Sequence, residues 1–277
     1  MTINTESLRA KLLNISREKK ISLQDLLNRF GSEQFLARMS VSPYADRLIF
    51  KGGSLLTYLI ETDRRTQDLD FSAIHIANSV EGVISLIDEI KNIEMDDGIA
   101  WGVPEGHALD HPMMDYPGFR IKCPFMLDKA RGLVRIDFGI GDVVSPKKMH
   151  LERMRYKGEP LVGSDFDILV YPTESIFAEK LHIAFSRGGA NTRMKDYYDM
   201  YKLALSGNMN AALLKSSIED TFKKRGAEVQ TEIAFDNTVH EQLQRYWDGF
   251  LRKMGLEDAP RELREVIDII NKTLKEI

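Results

Sequence analysis

Three aspartates and one glycine corner hold most of the chemistry that this sequence can offer. Asp68 and Asp70 stand two residues apart in Asp68-Leu69-Asp70-Phe71-Ser72-Ala73, where polar and apolar residues alternate. In a strand that period puts Asp68, Asp70 and Ser72 on one face and Leu69, Phe71 and Ala73 on the other, with the two aspartates about 6 to 7 Å apart at their origins. Asp137 lies in a second alternating run, where Arg135, Asp137 and Gly139 oppose Val134, Ile136, Phe138 and Ile140. If the two strands are neighbours, three carboxylates meet at one spot. Alone they would repel and raise one another's pKa. With Mg²⁺ the arrangement is reasonable, because hard oxygen ligands hold the ion and phosphate oxygens complete its octahedron. Two such ions about 3.5 to 4 Å apart would stabilise both the entering and the leaving oxygen of a phosphoryl displacement. The same alternation equally describes aspartates lining the solvated side of a half-exposed sheet.

Gly52-Gly53-Ser54 favours the phosphate reading. A glycine pair lets the backbone approach a phosphate closely, the N–H groups at a following helix start attract anions, and Ser54 adds a hydroxyl. Asp68 and Asp70 return fourteen and sixteen residues later, a length that suits one helix and a loop leading to an adjacent strand. Other signatures are missing. There is no GxxxxGK[ST], no HExxH, and Gly139-Ile140-Gly141 finds no third glycine, so the P-loop and dinucleotide fingerprints both fail. His107 and His111, four apart beside Asp110 and Asp115, have a helical metal spacing, but Pro112 and nearby glycines point to a loop.

The elements that must position these groups can be read from periodicity. LRAKLLNI and SLQDLLNRFGSEQFLARM have helical spacing, with Ser22 as an N-cap. Leu48-Ile49-Phe50 reads as a strand running into the glycine corner and a helix start, and residues 79–91 as a helix. Residues 98–117 are rich in Gly, Pro, His and Asp and read as an irregular connection. FRIKCPFML and GLVRIDFGIGD form an antiparallel hairpin, and FDILVYP a last strand. From Thr173 onward the pattern is helical, over 173–187, 194–205 and segments around 211–224, 239–254 and 260–276, with Thr173 and Ser175 offering capping chemistry. The fold class is therefore α+β, a mixed or antiparallel sheet with flanking helices plus a C-terminal helical bundle. The domains are residues 1–171 and 172–277.

Composition narrows the setting. At 277 residues, 43% of them hydrophobic, the chain can bury a sizeable core. No run approaches the ~18 to 20 apolar residues of a membrane helix, and the N-terminus lacks a signal-peptide apolar region. Cys123 is the only cysteine, so disulfide frameworks and cysteine zinc clusters are excluded and a reducing cytoplasm is expected. Thirty-eight basic against 42 acidic residues, a net charge of −4, exclude a globally basic nucleic-acid coat. A local patch survives in KKMHLERMRYK, where Lys147, Lys148, Arg153, Arg155 and Lys157 stand against only Glu152; it reads either as a solvated helix or loop face or as an RNA or nucleotide-phosphate contact.

The order Gly-Ser, Asp-x-Asp strand, later strand aspartate resembles the nucleotidyltransferase superfamily that includes DNA polymerase β. Phe50-Lys51-Gly52-Gly53-Ser54 followed by Arg64-Arg65-Thr66-Gln67-Asp68-Leu69-Asp70-Phe71 is similar to the first motif of the AbiEii/AbiGii toxin family. Arg135-Ile136-Asp137-Phe138-Gly139 fits the intervening strand motif. Glu179-Lys180-Leu181-His182-Ile183-Ala184 and Arg193-Met194-Lys195-Asp196-Tyr197-Tyr198-Asp199-Met200-Tyr201 resemble the later motifs, and Tyr246-Trp247-Asp248-Gly249-Phe250-Leu251 the C-terminal helix. The resemblance covers roughly residues 45 to 255.

The resemblance implies a nucleotidyltransferase-like fold whose C-terminal helical domain completes the active site. It also implies transfer of a nucleoside monophosphate from an NTP, with Mg²⁺ or Mn²⁺ and release of pyrophosphate. The enzyme would be the toxin of a toxin–antitoxin or phage-abortive-infection system, with an RNA acceptor such as the tRNA 3′ end and an antitoxin encoded nearby. Carried over by motif, Gly52, Gly53, Ser54, Arg65 and Arg193 would bind the nucleotide. Asp68, Asp70 and Asp137 would bind metal, and Asp68, Asp70, Lys180 and Asp196 would be catalytic. Lys180 would neutralise phosphate charge; Asp196 would orient the nucleotide, accept a proton or pair with Lys180. Tyr197, Tyr198 and Tyr201 read as packing residues. Two other readings keep the fold: a small-molecule nucleotidyltransferase, and a non-catalytic nucleotide- or protein-binding module.

Overall fold

Alternating strands and amphipathic helices appear largely where periodicity places them. The computed structural model describes residues 3–60, 66, 68–109, 118–140 and 145–277. In chain order the elements are α1 (Thr5–Lys19), α2 (Leu23–Ser40), β1 (Leu48–Lys51), α3 (Gly52–Leu59), β2 (Asp68–Ala73) and α4 (Val80–Lys91). Then come β3 (Ile99–Trp101), β4 (Glu105–Leu109), β5 (Gly118–Leu127), β6 (Ala130–Ile140), β7 (Lys147–Leu151), β8 (Arg155–Tyr156), β9 (Glu159–Pro160) and β10 (Phe166–Val170). The helices α5 (Thr173–Arg187), α6 (Met194–Ser206), α7 (Ala211–Lys224), α8 (Asn237–Met254) and α9 (Leu263–Lys275) follow. Chain contacts divide into two compact units, Met1–Leu55 with Thr66–Val170 and Leu56–Arg65 with Tyr171–Ile277.

The first unit is built on a mixed sheet in the order β3-β5-β6-β2-β1-β10-β7, with β4 also paired to β5. β2 runs parallel to β6 and β1 parallel to β10; the remaining pairs in this sheet are antiparallel. Register then sorts the side chains into rows. Phe119, Phe138, Phe71 and Phe50 are directly paired across four strands. In the core the Phe71 and Phe138 rings stack with centroids 5.7 Å apart, and the Phe50 ring lies tilted against Phe71 at 5.6 Å. Burying each such side chain contributes roughly 1.5 to 3 kcal/mol, which holds the register, because a one-residue slip would turn all four into solvent.

Helix α2 covers β6 and β10. Its Gly31 leaves room for Phe125, since a Cβ there would lie 2.3 Å from that ring. Ser22 caps α2 as expected, accepting from the Asp25 N–H at 3.0 Å. The second unit is all-helical: α5 packs on α6 and α7, and α6 on α8 and α9, around Phe177, Tyr197, Tyr198, Trp247, Leu263 and Ile270.

Three expectations fail locally. Residues 98–109 are not irregular: β3 and β4 add to the sheet edge through backbone pairing with β5, which needs no alternation in their own side chains. Asp110–Pro117 lie outside the described residues. The basic segment begins as strand β7, held by β10. Helix α5 has no side-chain cap, because the residue in the capping position is Pro172, which carries no polar side chain; the Thr173 hydroxyl, inside the helix, donates to Glu174 at 3.1 Å.

Candidate active site

The face opposite the phenylalanine row carries charge. Arg120, Asp137, Asp70 and Lys51 are paired in sequence across β5, β6, β2 and β1, and Lys122, Arg135 and Asp68 form the next row. Strand alternation alone dictates this: every residue one step from a core phenylalanine must face the other way. The sheet therefore brings Asp68, Asp70 and Asp137 onto adjacent strands and a single face.

The glycine corner closes against them. Gly52 follows β1 directly and adopts φ +74, a left-handed conformation that a Cβ opposes. A Cβ at Gly52 would also sit 2.1 Å from Asp70 Oδ2, so the corner touches that carboxylate with bare backbone. The Ser54 hydroxyl donates to the Asp68 carbonyl and lies 3.5 Å from Thr66 Oγ1. Ser54 thus ties the start of α3 to the start of β2. Arg65 lies outside the described residues.

Arg120, absent from the expected set, pairs with Asp137 in bidentate fashion, Nε to Oδ1 at 2.8 Å and Nη2 to Oδ2 at 2.6 Å. These hydrogen bonds raise the Arg120 pKa above the ordinary arginine value; burial opposes the rise, and the charges of Asp137, Asp68 and Asp70 add to it. Asp137 therefore stands beside Asp70 as expected, yet both of its oxygens accept from an arginine.

In the second unit, α5 and α6 build another cluster. Lys180 Nζ lies 2.8 Å from Asp196 Oδ1 and 2.8 Å from Asp199 Oδ2, and Arg193 Nε donates to Asp196 Oδ2 at 2.6 Å. Asp196 and Asp199, three apart on α6, share one helix face. Asp196 is fully buried. Burial alone would raise its pKa, but the Lys180 and Arg193 charges and their hydrogen bonds reverse this and hold it well below the usual carboxylate range. At 12% exposure Lys180 is a largely buried ion-pair lysine and not a snorkelling one. The Asn191 side chain accepts from the Arg193 N–H at 3.0 Å and shapes the turn into α6. Tyr197, Tyr198 and Tyr201 are buried packing residues, which leaves them no face for stacking a base.

The 147–157 segment is largely neutralised. Arg153 is buried beneath Gln34 and Glu33, Lys148 pairs with Asp167 at 2.9 Å, and Arg155 with Asp165 at 2.6 Å. His107 lies on strand β4 and not on a helix, and His111 is outside the described residues.

A profile described as the nucleotidyl transferase AbiEii toxin of a type IV toxin–antitoxin system matches residues 34–269. The chain belongs to this AbiEii family. Among solved structures, JHP933 from Helicobacter pylori is similar over 92% of this chain and 95% of that one, with 18% identity and a TM-score of 0.54. A candidate nucleotidyltransferase from H. pylori matches with the same coverage, 92% and 95%, at 16% identity and a TM-score of 0.51. At such identities the likeness shows a shared fold. No curated protein matches the chain. As an AbiEii protein the chain is a nucleotidyltransferase of a type IV toxin–antitoxin family, a class that implies a nucleotide substrate and an antitoxin partner. Among the described residues, no helix is long and apolar enough to cross a membrane.

Proposed function

We propose that this AbiEii protein transfers a nucleoside monophosphate from an NTP to RNA, such as the 3′ end of tRNA, with a divalent cation and release of pyrophosphate. The observation that carries this reading is the contact of a side-chain-free backbone corner, Gly52, with a carboxylate of the Asp68–Asp70 pair. A glycine corner admits phosphate oxygens to its N–H groups, and the adjacent carboxylates would repel those oxygens unless a cation lay between them.

The donor set fits a hard cation. Asp68 and Asp70 offer oxygen ligands from one strand face, and both are half-buried. Among the described residues no group of three or more His, Cys, Asp or Glu side chains could by itself hold a metal ion, so an ion on Asp68 and Asp70 would complete its shell with water and substrate phosphates, as Mg²⁺ or Mn²⁺ does. Such an ion would neutralise charge on the transferring phosphates and align them. The chain's own residues do the rest. Gly52 and Gly53 leave space and N–H donors for the triphosphate, and Ser54 fixes the corner to the Asp68 strand. Within the helical unit, Asp196, whose charge is locked on by Lys180 and Arg193, keeps both cations oriented. The reading fits catalysis by positioning and electrostatics. A toxin that depletes usable RNA suits abortive defence against phage, and the single buried Cys123 suits the cytoplasm.

Labelled NTPs incubated with the protein and separate pools of RNA, protein and small metabolites test this. Label should enter RNA only, require Mg²⁺, release pyrophosphate and disappear in Asp68→Ala. Label in the small-molecule pool would instead mark a small-molecule nucleotidyltransferase. Metal-independent NTP binding without turnover would mark a non-catalytic module.

A further inference from the structure

We propose that the open face of β5 and β6 seats the acceptor RNA, with Lys122 and Arg131 holding phosphates of its single-stranded 3′ end beside the Asp68–Asp70 centre; this rests on the RNA-acceptor reading above. Alternation puts Lys122, Pro124 and Met126 of β5 and Arg131, Leu133 and Arg135 of β6 on the face that carries the three aspartates. Register lays them out in rows leading away from the carboxylates: Lys122 and Arg135 beside Asp68, then Pro124 opposite Leu133, then Met126 opposite Arg131. From Asp137 back to Arg131 the strand spans about 20 Å. Helix α2 packs on the other face, where Gly31 meets the Phe125 ring, and on this face Lys122, Pro124, Met126 and Arg131 are exposed. Three features select a nucleic-acid strand. Lys148, Arg153 and Arg155 are taken up by Asp167, Glu33 and Asp165, whereas among the described residues Lys122 and Arg131 enter no ion pair. Glu105 stands opposite Lys122 on its other side and still leaves the track net positive. The exposed apolar side chains between the cations offer bases and sugars a floor that a small charged acceptor would not need. The backbone beneath is already committed, since the Leu133 N–H donates to Asn28 Oδ1 at 3.0 Å and the Arg131 carbonyl accepts from Gln24 Nε2 at 3.0 Å. Side chains, and not an added strand, are therefore what this face presents.

Binding of a 5′-fluorescein-labelled single-stranded RNA with a free 3′ hydroxyl to the full chain, followed by anisotropy across a salt series, tests this without reference to turnover. The double variant Lys122→Gln, Arg131→Gln should bind at least about tenfold more weakly, and its slope of log K against log salt should shrink by about 1.4, the share of two phosphate contacts. Lys122→Arg with Arg131→Lys keeps both charges and should bind within about threefold of wild type. Arg252→Gln with Lys253→Gln removes two exposed cations from α8 and should bind as wild type does. In transfer assays the first variant should raise KM for RNA while kcat and KM for NTP stay unchanged, the pattern of a lost binding contact. Circular dichroism establishes that each variant is folded. Unchanged affinity and slope in the neutralised variant, or an equal loss in the α8 variant, would overturn the inference while leaving RNA as the acceptor. Label that enters the small-molecule pool and never RNA in wild type would instead overturn the acceptor reading, and this inference with it.

Discussion

Replacing Gly52 by alanine should separate the glycine corner's role in placing Asp70 from its role as a mere turn. Two penalties apply to the folded state. A residue with a Cβ at φ +74 is disfavoured by roughly 1 to 2 kcal/mol, and the new methyl would lie 2.1 Å from Asp70 Oδ2. Relief of that overlap requires the carboxylate or the corner to move, an overpacking cost of about 1 to 3 kcal/mol. At roughly 2 to 4 °C per kcal/mol for a unit of this size, the melting temperature should fall by about 4 to 20 °C. A shift of the carboxylate by about 1 Å should lower nucleotide transfer on the order of 100-fold. Gly158 supplies the control. It has φ +87 with nothing within 4 Å of a built Cβ, so Gly158→Ala should show only the conformational cost and full transfer activity. The assay is incorporation of labelled NMP per folded molecule, with melting followed in parallel. Should Gly52→Ala melt like Gly158→Ala and transfer at the wild-type rate, the claim that this corner positions Asp70 would be wrong.

Lys180→Ala removes the ammonium bridging the buried carboxylates of Asp196 and Asp199 and leaves the Arg193 ion pair on Asp196 in place. Breaking a buried pair in this way should cost about 3 to 5 kcal/mol in denaturant unfolding and abolish transfer; unchanged stability would show that the cluster is not a buried ion network. Glu33, which accepts from the Met154 N–H at 2.6 Å, has its pKa raised from 4.5 to about 7, chiefly by burial, against the pull of that bond, Arg153, Arg29 and Gln34. Between those two values the folded state holds a proton that the unfolded chain has released, so stability should fall as pH rises through this window, by on the order of 3 kcal/mol in total. Glu33→Gln should flatten that part of the profile; parallel wild-type and variant curves would refute it.

The fold was legible where one side of an element is buried. The run Phe71, Leu69, Ala73 and the matching Val134, Ile136, Phe138 announce strands because a half-buried sheet demands period two, and Ser22 announces a helix start because its hydroxyl satisfies an orphan N–H. β3 and β4 were illegible for a related reason. Their residues are mostly partly or fully exposed, so no buried face imposes a period, and only the long β5 edge recruits them. For the 147–157 segment, composition leaves out the partners. Charge counted along the chain says nothing of Asp165, Asp167 and Glu33, which arrive from other elements to meet Arg155, Lys148 and Arg153.

The candidate site divides along the same line. Asp68, Asp70 and the Gly52 corner are local patterns, readable because their spacing within one segment fixes their relation. Arg120 carries no such pattern. In sequence it is one of several basic residues in an alternating strand, and only the β5–β6 register sets it opposite Asp137 rather than opposite a neighbour two residues away. Asp199 is similar: its three-residue spacing from Asp196 announces a shared helix face, but that Lys180 bridges both depends on how α5 lies against α6. Motifs therefore locate the groups that must touch a substrate. The cations and carboxylates that set the charge of those groups are chosen by pairing between distant segments, and a substitution at Arg120 can change the chemistry while leaving every motif intact.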